Sequence, residues 1–149
     1  MVAKTSTSER APQSLTGRRL FIPQMSGAGA RLTAAALRSI GIDAWPSPDS
    51  DAETLELGGL HSSGEECLPH RITLGDFLKV TRAPDFAAQR TAFFMPTANG
   101  PCRFGQYAPY LRKVLTELGH GDVMVFSPSS KSGYDEVGMA SADAQLTMW

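Results

Sequence analysis

Three short apolar runs, each followed by a proline and then a loop of small residues, constrain what this chain can become. They are Arg19-Leu20-Phe21-Ile22-Pro23, Ala92-Phe93-Phe94-Met95-Pro96 and Asp122-Val123-Met124-Val125-Phe126-Ser127-Pro128. Each is too short for a helix and lacks polar alternation, the pattern of a strand buried on both faces. The intervening segments carry helical spacing instead. Leu32, Ala35, Ala36, Leu37 and Ile40 recur at that period, and Gly41 ends the run as a C′ glycine does. Ile42-Asp43-Ala44-Trp45-Pro46 reads as a further short strand. Asp49 to Asp51 suits an N-cap, and Glu53 to Leu60 suits a short helix closing near Gly58-Gly59. Pro69 to Val80 reads as a helix with its proline in the first turn, where a missing N–H costs little. Ile72, Phe77, Leu78 and Val80 are its expected inward positions. Tyr110-Leu111, Val114-Leu115 and Leu118 form a last stripe, ended by Gly119.

Strand and helix in alternation specify an α/β fold with a mainly parallel sheet of about four strands. Ligands of such sheets bind outside the carboxyl ends of the strands. The loops Gln24 to Ala30, Thr97 to Cys102 and Ser127 to Ser132 are all expected to open at that edge. Residues 1–16 are polar and unpatterned and read as a disordered tail or linker. The lobe spans 17–130, and 131–149 reads as a tail or the start of a truncated next unit. A hydrophobic fraction of 42% in 149 residues is enough for a real core. Lys plus Arg is 14 and Asp plus Glu is 15, with no basic run longer than Arg18-Arg19, which argues against nucleic acid as a partner. No apolar stretch reaches the roughly 18 residues that a membrane helix needs, and the first residues lack a signal-peptide core. A reducing cytoplasmic setting follows as the default.

Chemistry centres on the two cysteines, Cys67 and Cys102. One sits in Ser63-Gly64-Glu65-Glu66-Cys67-Leu68-Pro69, the other in Asn99-Gly100-Pro101-Cys102-Arg103-Phe104-Gly105-Gln106-Tyr107. Each is expected at the mouth of a helix, where free N–H groups and partial positive charge favour a thiolate. Buried cysteine acting as a small hydrophobe is the bland reading, but the flanking Gly, Pro and charged residues favour function. Three chemistries stand open. A [4Fe–4S] cluster takes thiolates, typically four, and this chain supplies two. Zinc is an alternative, because Cys67-Leu68-Pro69-His70 has C-x2-H spacing and Cys102 would be a third ligand. His61 and His120 are further imidazoles without motif spacing. A dithiol–disulfide switch is the third.

Other features read as structural. Gly27-Ala28-Gly29-Ala30 departs from a dinucleotide fingerprint and suits a strand-to-helix turn. Arg103 is placed either to offset thiolate charge or to be solvated. Tyr107 and Tyr110 suit core packing, and Ser127-Pro128-Ser129-Ser130 suits capping more than anion binding. Glu65-Glu66 read as a solvated loop edge whose charge opposes a low thiol pKa. No G-x-S-x-G elbow occurs.

The two cysteine strings, with Thr73-Leu74-Gly75-Asp76-Phe77-Leu78-Lys79 and Phe93-Phe94-Met95-Pro96-Thr97-Ala98, resemble the 2-hydroxyacyl-CoA dehydratase superfamily. The branch most like them is the dehydratase-like region of CoA-enzyme-activase proteins, the acyl-CoA dehydratase activase-related family. The likeness runs from about Gly17 to Ser130. It implies a Rossmann-like three-layer lobe and [4Fe–4S] clusters, some paired or double-cubane, held by cysteines in loops at the sheet edge. It implies Cys67 and Cys102 as cluster ligands. It also implies radical dehydration of 2-hydroxyacyl-CoA after an ATP-dependent activase delivers one electron. The chain departs from that pattern in lacking a third cysteine and any activase ATPase motif. The expectation is therefore one lobe of an iron–sulfur protein with a redox role. It is not active alone and needs a second subunit or further lobe. The alternatives are a non-catalytic interaction or folding module, or a structural zinc domain.

Overall fold

The computed structural model describes residues 15–98 and 100–129. Asn99 and the expected tails, apart from Leu15 and Thr16, lie outside them. The apolar runs pair as parallel strands β1 (Arg19–Ile22), β2 (Ala44–Pro46), β3 (Thr91–Phe94) and β4 (Met124–Phe126). Their spatial order is β2-β1-β3-β4, with Leu20 opposite Ala44 and Ala92, and Phe93 opposite Val125. Beyond the strands, the Met95 N–H donates to Phe126 O (2.8 Å) and the Thr97 N–H to Pro128 O (3.1 Å). The central β1–β3 pair is where the strand order reverses, the place where open α/β sheets bind ligands.

Alternation along each strand divides the core in two. Leu20, Ile22, Ala92, Met124 and Phe126 face helix α1 (Gly27–Ser39). Phe93 and Val125 face the other way, joined by partly buried Phe21, toward α3 (Leu68–Thr81) and α4 (Tyr107–Glu117). Helix α2 (Ala52–Leu60) packs against α3. This is the expected α/β, Rossmann-like arrangement of helices on both faces of a parallel sheet.

Helix α1 presents a different face from the one its larger side chains suggest. Ala30, Ala34 and Leu37 are buried, whereas Leu32 is 72% exposed and Ala35 and Ile40 are also exposed. Ala30 and Ala34 at i and i+4, with Leu37 at i+7, form the buried stripe, the small alanines let the helix lie close on the sheet, and Leu32 falls on the far side of that stripe. Ile72 of α3 is only half-buried, while Leu74, Phe77, Leu78 and Val80 are buried.

Helix α2 runs through Gly58 and Gly59 and ends at Leu60, where the sequence places its end. A Cβ on Gly58 would overlap the Arg71 carbonyl, and one on Gly75 of α3 would overlap the Thr54 carbonyl. The two helices approach backbone to backbone, and only glycine permits it. Beside this contact the Asp76 carboxylate is fully buried and accepts hydrogen bonds from Ser50 Oγ and Thr54 Oγ1, each 2.8 Å. Thr54 also closes a capping box with Asp51, and Lys79 Nζ donates to Asp51 Oδ2 at 2.7 Å.

Gly75→Ala is expected to lower stability by at least about 1–3 kcal/mol in urea unfolding, because backbone has no room to give. Leu32→Ala, on the exposed side of α1, is expected within about 0.5 kcal/mol of the parent. Equal effects of the two would show that the close approach is not real. Asp76 supplies a pH signature. Burial raises its pKa above 3.8, against the hydrogen bonds from Ser50 and Thr54 and the charge of Lys79. The folded chain thus holds that proton more tightly than the unfolded chain. Its contribution is complete below the unfolded pKa and is lost as pH rises through the folded one. The stability of the parent minus that of Asp76→Asn should fall as pH rises above about 4; a flat or rising difference contradicts the assignment.

Candidate functional site

The site forms where the loop before α3 meets the loop after β3. The first loop turns at Gly64, whose φ of +94° is open to glycine. The Glu66 carboxylate holds the turn, accepting from Ser63 Oγ (2.8 Å) and from the Gly64 N–H (3.0 Å). Cys67 then caps α3, with Pro69 in the first turn, and its carbonyl accepts from the His70 and Arg71 N–H groups. In the second loop Cys102 caps a 3-10 turn, Arg103–Gln106, that runs directly into α4. Both cysteines therefore stand at helix mouths as expected, and both are exposed.

Two contacts join the loops. Arg103 Nη1 donates to Glu65 O at 2.7 Å. The Tyr107 hydroxyl lies 3.1 Å from Cys67 Sγ. Tyr107 is the first residue of α4 and is only 5% exposed. Its ring is stacked on His70 (centroids 4.3 Å apart, planes at 12°) and meets Phe104 at 5.1 Å and 61°. His70 in turn meets the edge of Tyr110 at 4.9 Å, and the Tyr110 hydroxyl donates to His61 O at 3.0 Å. An exposed thiol thus rests on a buried aromatic stack.

The charges follow from this geometry. Hydrogen bonding by Tyr107 does most to lower the Cys67 pKa. The His70 backbone N–H and the Arg103 charge act the same way, against a smaller effect of burial. Burial, then the neighbouring Cys67, raises the pKa of Tyr107. With the thiol pushed down and the phenol pushed up, the pair favours the phenol as donor and the sulfur as acceptor. Burial works against a charge on Glu66, but hydrogen bonds from Ser63 and its own turn bring its pKa to about 2. Its charge is held by its own loop, so the expected opposition of Glu65-Glu66 to a low thiol pKa does not prevail. Burial lowers the His70 pKa, partly countered by the charge of Glu66.

His70 and His120 pack against aromatic rings. His70 is buried beneath Tyr107, with its Nε2 lacking a hydrogen-bond partner. His120 packs edge-on against Phe86 at 5.0 Å. Among the described residues, no three His, Cys, Asp or Glu side chains gather into a metal-holding group. Gly27 to Ala30 are not a turn ahead of the helix but the first turn of α1 itself, with the Ser26 side chain capping it by accepting from the Gly29 N–H. A cavity of about 400 Å³ lies at the opposite, amino end of the strands, lined in part by Arg19, Phe21, Asp43, Phe86 and Arg90, away from both cysteines. No described helix is long and apolar enough to cross a membrane.

Sequence reasoning placed Tyr107 in the core and missed its contact with Cys67. Its ring is indeed core, but its hydroxyl reaches a residue 40 positions upstream, which no local spacing reveals. No family model, curated protein or solved structure matches the chain.

The thiol assignment can be read directly from alkylation. In a Cys102→Ser background, the pH midpoint for iodoacetamide modification of Cys67 should lie below the free-cysteine value of about 8.5. Adding Tyr107→Phe should move it upward, and Arg103→Gln should move it upward by less. An unmoved midpoint in Tyr107→Phe would mean that the phenol does not stabilise the thiolate.

Proposed function

We propose that this chain is one lobe of an iron–sulfur redox protein related to the 2-hydroxyacyl-CoA dehydratase and activase systems. Cys67 and Cys102 supply two thiolate ligands to a [4Fe–4S] cluster, and a second subunit or further lobe completes it. The observation that carries this reading is the meeting of the two cysteine loops, bridged by Arg103 to Glu65 O and by Tyr107 to Cys67 Sγ. The resemblance of Gly100-Pro101-Cys102-Arg103-Phe104-Gly105-Gln106-Tyr107 and of Gly64-Glu65-Glu66-Cys67 to that superfamily gives the cluster its identity.

The donor set fits half of a cluster site. Clusters are held by deprotonated cysteines, and the surroundings of Cys67 favour that form. Both thiols are exposed, so an incoming cluster and a partner can reach them. Two thiolates fall short of the usual four, and the remaining positions fall to the partner. When bound, the group supplies one-electron chemistry. The residues of this chain hold it at the carboxyl edge of the sheet. Arg103, beside both loops, offsets part of the anionic charge. The electron donor in this reading is an ATP-dependent activase, and the setting is the reducing cytoplasm, where the thiols stay free. The lobe alone does not dehydrate a substrate.

Anaerobic reconstitution with ferrous iron and sulfide, with a small thiol filling the open positions, tests the reading. Wild type should gain the broad visible absorption of sulfur-to-iron charge transfer, and an EPR signal on one-electron reduction. Cys67→Ser and Cys102→Ser should each lose most of both signals. Equal, sub-stoichiometric signals in wild type and Cys102→Ser would exclude the cluster. Zinc in protein purified without added iron would replace it with the zinc reading.

A further inference from the structure

Each outer strand of the sheet meets an arginine on its open side. In β2, the Asp43 carbonyl accepts from the Leu20 N–H (2.8 Å) and the Ser47 N–H donates to Ile22 O (2.7 Å). Residues of that parity bond toward β1, so the N–H and carbonyl of Ala44 point out of the sheet. The Ala44 carbonyl is taken by Arg38 of α1, whose Nη1 donates to it at 2.5 Å. Pro46, the other outward residue of β2, has no N–H to offer. In β4, the Phe126 carbonyl accepts from the Met95 N–H (2.8 Å), which leaves Val125 as the outward residue. Its carbonyl is taken by Arg112 of α4, whose Nη2 donates to it at 3.0 Å. Each arginine comes from the helix that leads into the strand it meets. Arg38 is also held from the side. Its guanidinium carbon lies 4.8 Å from the centre of the Trp45 ring, and Trp45 Nε1 donates to Asp43 Oδ1 at 2.6 Å.

We propose that Arg38 and Arg112 are guards that keep a second copy of this chain from extending the sheet through either edge. This goes beyond the cluster reading and does not depend on it. A strand added to an edge needs the outward carbonyls as acceptors and the outward N–H groups as donors. At both edges the acceptor is already engaged, and by a charge-assisted bond. An incoming strand would have to displace the guanidinium and leave its charge beside the new ladder without that partner. Strands of three residues give few further bonds to offset the loss. The need for a guard is clearest at β4. Its sequence is Met-Val-Phe, apolar and prone to β structure, the kind of edge that pairs with its own copy when bare. At β2 the missing donor of Pro46 and the clasp of Arg38 with Trp45 act together.

The test is light scattering coupled to size exclusion, across a concentration series in reducing buffer, on wild type, Arg38→Ala, Arg112→Ala and the double variant. An edge opened on one side closes with its own copy in a two-fold pair. Each single variant should therefore gain mass toward a dimer at concentrations where wild type does not change. The double variant should grow past the dimer, with a new amide I band of intermolecular β structure. Adding Pro46→Val to Arg38→Ala restores the missing donor and should strengthen association further. Arg31→Ala removes the same charge from the exposed side of α1 and should behave as wild type. Gly75→Ala, which loosens the fold away from both edges, should gain no such band. Single variants that keep the wild-type circular dichroism and the wild-type mass across the series overturn the proposal. So does equal association in Arg31→Ala, which would trace the effect to net charge, or in Gly75→Ala, which would trace it to unfolding.

Discussion

The stacking of Phe77 on Phe93 sets the rest of the molecule. Both rings are fully buried, with centroids 4.4 Å apart and planes at 25°. Phe77 lies ten residues along α3 from Cys67, about 15 Å at the helical rise. Phe93 sits in the central strand β3, nine residues before Cys102. One aromatic contact thus ties the element that carries the first cysteine to the element that delivers the second. The glycine-lined approach of α2 holds α3 from outside, at Gly58 and Gly75. Between that approach and the sheet, α3 has little freedom to slide. Its N-terminus is held over the carboxyl end of β3, where Tyr107 reaches Cys67.

The legible part of the fold was the part written in apolar runs. All four strands and all four helices stand within a few residues of where periodicity puts them. Face assignment in α1 failed because the eye follows large side chains, and this helix buries alanine. Leu32 is apolar yet lies on the solvent side, which costs little for a single exposed residue. The Gly58-Gly59 pair marks the end of α2 and carries a second meaning. Glycine serves both as a helix stop and as a site of close backbone approach, and sequence alone does not separate the two uses. The partner that decides between them, the Arg71 carbonyl, is 13 residues downstream.

The candidate site was half legible on the same logic. Cys67 and Cys102 stood out because glycine, proline and charge surround them, and both are indeed helix caps. Their supporting shell was hidden. Tyr107 and His70 carry the amphipathic signals of core residues, and they are core residues. Their functional edge is a single hydroxyl at the end of a buried ring. An amphipathic aromatic can fill a core and present a polar tip at once. A motif search that sorts residues into core or site has no place for such a side chain.

The same duality explains how an exposed pair of thiols can be held in one geometry. Exposed loops are the mobile part of an α/β lobe, yet a ligand site needs positions fixed to within about half an ångström. Here the rigidity comes from beneath. The first loop is tied by Glu66 to its own turn and by Glu65 O to Arg103. The sulfur of Cys67 is tied to a phenol whose ring is part of the core. Among the described residues the Cys102 sulfur has no such partner, and its loop is held by the 3-10 turn and by Arg103 to Glu65 O. The order of firmness is therefore Cys67 before Cys102. In the proposed reading, a partner would meet one sulfur anchored to the core and one anchored only through its own loop.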